Sequence, residues 1–174
     1  MDSPSPSSVL TDLLAVVRST RQNHAWEHAT LHVLGGRGQV RQASGLSDPS
    51  GFTLFGEMSV EDVDQAVADA QAAIDDGRRG LAIHPDCGTN LVVQALLSVL
   101  AMQFLGRTGR GFSMARFIAS LLSMTALSVA AKVLGPRLQT VTTLADLRDR
   151  EATEVYALRV FGKPAVRVSV GARM

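Results

Sequence analysis

Leu91-Val-Val-Gln-Ala-Leu-Leu-Ser-Val-Leu-Ala-Met-Gln-Phe-Leu105 is the stretch on which the fold turns. It is apolar on nearly every side, and no charged residue other than Asp86 lies close to it between Pro85 and Gly106. About 20 such residues suffice to cross a hydrocarbon layer. A second apolar run, Phe117 to Ala131, continues through Lys132, which could snorkel, to Leu134. Gly135-Pro136 is expected to stop it. A short linker carrying Arg107, Arg110 and Arg116 joins the two runs. This pattern predicts a transmembrane helical hairpin over residues 87–135, and with it an integral membrane protein. The arginines of the turn favour a cytoplasmic turn, but Arg78, Arg79, Lys132 and Arg137 on the flanks nearly cancel that bias, so the side of the soluble part stays open. The alternative is a pair of helices buried in a soluble core. Gln94, Ser98, Gln103, Ser120, Ser123, Thr125 and Ser128 soften the hydropathy, and small residues such as Ala119, Ala126 and Ala130 suit close packing in either setting.

Outward from the hairpin, a chain of 174 residues holds one domain besides it. Formal net charge is +1 and aromatics are 5%, so neither a basic footprint nor a stacking platform for nucleic acid is present. Cys87 is the only cysteine, which excludes an intramolecular disulfide. Met1 to Ser8, rich in Ser and Pro, reads as a disordered tail with no basic or apolar region of a secretory signal.

The expected fold class is α+β. A small α/β domain (helix, β-hairpin, helix, strand) over 9–86 is interrupted by the hairpin and completed by a C-terminal β-pair over 136–174 that packs back on it. Ser8 to Arg18 predicts a short amphipathic helix, and Arg21 to Leu34 a second one closed by Gly35-Gly36. Gln39 to Leu46 and Phe52 to Glu57 predict strands around a Ser47-Asp48-Pro49-Ser50-Gly51 turn. Ser59 is a good N-cap, with Glu61 and Asp62 in the first turn of the helix it opens. Val63, Ala66, Val67, Ala70, Ala73 and Ile74 recur along that helix at its own period. Leu81 to His84 predicts a short strand halted by Pro85. Leu144 to Glu151 predicts a surface linker. Glu154 to Phe161 and Ala165 to Val170 predict the final strands, the last with Val166, Val168 and Val170 on one buried face.

The chemistry lies in His24-Ala25-Trp26-Glu27-His28. On a helix, positions four apart stack one above the other, so two imidazoles share a face with a carboxylate on its flank. Such a face can hold a divalent metal. Zinc would accept both imidazoles and a third protein ligand and keep an open position for water. Its bound water has a pKa of roughly 7, and Glu27 stands where it could take the proton. His84 is the preferred third ligand and Cys87 the close second, both in the loop His84-Pro85-Asp86-Cys87-Gly88-Thr89-Asn90. Asp86 could orient a ligand histidine. His32 is an alternative ligand or a flank residue. The plain readings are histidines bonded to their neighbours and a loop that only caps a helix through Thr89 or Asn90.

Two resemblances attach to these motifs. The form His24-Ala-Trp-Glu-His-Ala-Thr-Leu-His32, with Ile83 to Asn90 reading as Ile-His-Pro-Asn/Asp-Cys-Gly-Thr-Asn and two apolar helices after it, resembles a family of small bacterial membrane proteins with no assigned function. That resemblance implies architecture, not activity. His24 to His28 followed by a β-hairpin and an Ala/Val-rich helix is similar, at motif level, to pitrilysin-type metallopeptidases. That similarity implies His24 and His28 as zinc ligands and Glu27 as base. Those enzymes take a third ligand from a glutamate well downstream, where this chain has Gln94 and Gln103 but no acid. The expectation is therefore a membrane-anchored metal-binding protein, acting as a zinc-dependent hydrolase if it is catalytic. The alternative is a non-enzymatic accessory protein with structural histidines, partnered by membrane lipid, a membrane complex or its own copies.

Overall fold

A computed structural model describes residues 6–40, 42–84, 87, 92, 94–99 and 114–173. The chain forms two compact units, residues 1–84 with 142–174, and residues 85–141. The first unit is α+β. Its elements are α1 (Pro6–Gly36), β1 (Ser44–Asp48), β2 (Gly51–Phe55), α2 (Val60–Asp75), a 3-10 turn (Arg79–Ala82), β3 (Arg150–Val160) and β4 (Lys163–Ala172).

The two N-terminal helices expected from the sequence are one. Nothing in α1 between Pro6 and Leu34 is Gly or a second Pro, so the helical bond pattern has no reason to stop at Ser19-Thr20. Thr11 and Thr20 turn their hydroxyls back onto the carbonyls of Ser7 and Val16, which satisfies them within the helix. The helix closes through Gly38, at φ +66°, with Gln39 N–H donating to the Leu34 carbonyl. Ser59 caps α2 as expected, its Oγ accepting from Asp62 N–H at 3.0 Å.

The sheet is antiparallel in the order β1-β2-β4-β3. Phe52 pairs with Val168 and Leu54 with Val166 across its centre. The apolar alternation of β4 thus meets that of β2 on one face. Trp26, Leu34, Val63, Val67, Ala70 and Leu147 complete the core against that face. Leu147 is fully buried, so the stretch expected as a surface linker anchors the start of β3 instead. Leu81 to His84 is not a strand. The chain turns there as a 3-10 helix, and the carbonyls of Ala82 and Ile83 accept from histidines rather than from a neighbouring strand.

The opposite face of the sheet carries a bidentate ion pair. Arg167 reaches both carboxylate oxygens of Asp48 at 2.6 and 2.9 Å, tying β4 to the end of β1. The Arg167 hydrogen bonds pull the Asp48 carboxyl from the ordinary 3.8 down to about 2. A folded-state value below the unfolded one means stability that is fully present above the unfolded value and lost as pH falls through the folded one. Asp48→Asn is therefore expected to be less stable than the natural chain at neutral pH. The gap should close as pH drops from about 4 to about 2. Urea titrations at pH 7, 4 and 2 check this. A gap that stays constant across the three would sink it.

In the second unit, residues 92 and 94–99 are helical, and α3 (Met114–Thr142) carries the second apolar run. No helix among the described residues is long and apolar enough to cross a membrane. This overturns the transmembrane hairpin, and with it the integral-membrane localisation and the membrane anchor. The physical reason is legible in α3. The helix is long, but Lys132 and Arg137 lie inside it, and hydroxyl residues recur through it. Gly135-Pro136 does not end it. Proline removes one helical donor and bends the axis, yet the helix runs on to Thr142. Most of Leu91–Leu105, together with Asp86 and the Thr89/Asn90 cap, lies outside the described residues.

Candidate metal centre

The histidines of α1 stand one turn apart, and His28 and His32 reach the end of the 3-10 turn. His24 and His28 rings meet edge to face with centroids 4.3 Å apart. His28 is buried at 1% exposure and His24 is half-buried. His28 Nδ1 lies 2.7 Å from the Ala82 carbonyl, which can only accept, so Nδ1 carries the proton. In the neutral ring Nε2 is then the nitrogen with a lone pair, the form in which a histidine ligates. His24 Nδ1 makes the same kind of approach, at 3.4 Å, to the Thr142 carbonyl. Carbonyl-fixed imidazoles of this sort are the usual support of a metal ligand.

The ligating atoms of His24, His28 and Cys87 lie within 4.8 Å of one another. Cys87 is buried. This triad is compatible with metal binding. Two imidazoles and a thiol are a borderline-soft donor set, which suits zinc or a neighbouring transition ion and not magnesium or calcium. Among the described residues, the set takes Cys87 and not His84. The His84 ring is 5.8 Å from that of His28 and 4.7 Å from that of His32.

Glu27 lies near His24 and is also engaged by β1. It is 4% exposed, and its carboxylate accepts a hydrogen bond from Ser47 Oγ on β1. Burial raises its pKa, while the Ser47 hydrogen bond and the nearby His24 oppose the rise. Gly45 makes room for it. A Cβ at Gly45 would overlap the Glu27 carboxylate, so a larger residue there would displace that side chain. Ser47 and Gly45 were legible only as turn and strand residues, since nothing local links them to position 27. Trp26, between the two histidines, points the other way into the core. Its indole N–H donates to the Val67 carbonyl at 3.0 Å.

Comparison with known proteins adds a family and no activity. No solved structure matches the chain. An uncharacterized protein of Picosynechococcus sp. (strain PCC 7002) is 40% identical over an 87-residue alignment that covers 45% of this chain. The match spans 42% of that relative's length. A family model described as "Domain of unknown function (DUF6391)" matches residues 19–155, which take in α1 from its second half, the sheet's first hairpin, α2 and the candidate centre. On that match the chain belongs to the DUF6391 family.

Proposed function

We propose that this protein binds a zinc-type divalent ion through His24, His28 and the thiolate of Cys87. The convergence of three ligating atoms of suitable chemistry within 4.8 Å is the observation that carries this reading. Three protein ligands leave one position for a fourth group, the pattern of catalytic rather than closed structural zinc sites. Bound zinc supplies Lewis acidity there. Glu27 is the proton acceptor in a hydrolytic form of this reading, and burial raises its pKa above the ordinary carboxylate value, which makes it the stronger base. His84 stands beside the triad as a neighbour of His28 in this reading, not as its third ligand.

The test is metal content by elemental mass spectrometry on the purified protein. The wild type should hold about one tightly bound zinc per chain after dialysis, and His28→Ala and Cys87→Ala should each lose it. Zinc-free protein that takes up none on titration would end the reading. Glu27→Gln separates its two forms. Hydrolysis requires that this variant keep the metal and lose turnover of an ester or peptide substrate by about 100-fold or more.

One observation favours a second reading, in which the ion is structural. The Glu27 carboxylate is engaged by Ser47 and packed on Gly45, so it ties α1 to β1. Under that reading Glu27→Gln lowers stability and no hydrolysis is present to lose.

A further inference from the structure

Two histidines of the same cluster, His32 and His84, stand outside the triad, and His84 lies closer to His32 than to His28. His32 and His84 rings are 4.7 Å apart, against 5.8 Å between His84 and His28. His32 is fixed in the opposite tautomer from His28. Its Nε2 lies 2.9 Å from the Ile83 carbonyl and carries a proton, so in the neutral ring Nδ1 has the lone pair. Consecutive carbonyls, Ala82 and Ile83, thus set His28 and His32 to offer different ring nitrogens. His84 is the next residue in the chain, and the same turn of backbone delivers its ring to His32.

We infer that His32 and His84 form a second metal position, separate from the one at His24 and His28. Two imidazole nitrogens at about 2.0–2.1 Å from one ion are compatible with neighbouring rings at this spacing. An ion that prefers imidazole over oxygen, such as zinc, copper or nickel, is the class that fits. With two protein ligands among the described residues, the remaining positions fall to water, so the site binds more weakly than the triad and fills after it.

This inference concerns different ligands from the proposed triad, and one experiment separates the two. Metal-free protein is titrated with Zn²⁺ by calorimetry, as wild type, His32→Gln, His84→Gln and His24→Ala/His28→Ala. The wild type should show a tight and a weak step. His32→Gln and His84→Gln should each abolish the weak step and keep the tight one. The double variant should lose the tight step and keep the weak one. Histidine ring resonances in the wild type provide a readout that needs no substitution. Those of His32 and His84 should shift only with the second equivalent. A single step in the wild type overturns the inference. So does loss of the tight step in His84→Gln, which would make His84 a ligand of the first centre. A missing tight step beside a weak step that depends on His32 and His84 would defeat the triad alone.

Discussion

Trp26→Ala is expected to cost about 3–5 kcal/mol of folding stability. The indole is fully buried, stands 6.3 Å from the Phe52 ring across the helix–sheet junction, and donates its N–H to α2. Truncation removes the largest side chain of the core and leaves a cavity between α1, α2 and β2 that backbone cannot fill. Domains of this size are stable by about 5–15 kcal/mol in total, so the variant should be close to unfolding at ambient temperature. Urea denaturation followed by far-ultraviolet circular dichroism measures the loss. Trp26 is the only tryptophan, so wild-type emission should be blue-shifted and should move red through the same transition. A loss under about 1 kcal/mol would contradict the packing described here.

Gly51→Ala is expected to cost about 2–4 kcal/mol through a different mechanism. Gly51 opens β2 at φ +149°, a backbone conformation that side-chain-bearing residues rarely adopt. An added Cβ would also overlap the Val168 carbonyl oxygen, which is backbone and cannot rotate away. The strands must part where β2 meets β4, next to the Val170 N–H bond to the Ser50 carbonyl at 2.8 Å. Gly77→Ala is the control. Its φ is also positive, at +91°, but an added Cβ meets nothing within 4 Å. It should cost only the conformational part, about 1 kcal/mol. Equal losses in the two variants would show that the Val168 contact is not what makes Gly51 necessary.

Local pattern was a good guide wherever one segment supplies its own partners. The Ser59 cap and the apolar period of α2 both appear where expected, because a cap hydroxyl and its amide lie three residues apart. The β4 alternation was legible for the same reason, since a strand of period two buries one face whatever its partner. Local pattern misled where a signal is only permissive. Gly135-Pro136 can end a helix but need not, and α3 runs through it. An apolar run is compatible with a bilayer or with protein neighbours, and composition alone chose the bilayer wrongly.

From the sequence alone came the histidine ladder, its helical spacing and the kind of chemistry that two imidazoles and a thiol can support. Those follow from residue type and the geometry of one helix. Only the tertiary structure decided which groups converge. It brought Cys87 within reach of His24 and His28, paired His84 with His32, and set Glu27 against Gly45 and Ser47. Each of those contacts joins segments at least 18 residues apart in the chain, at distances that depend on how α1 packs on the sheet and on the 3-10 turn. Packing of that kind is a sum over the whole core, and no local window of sequence contains it.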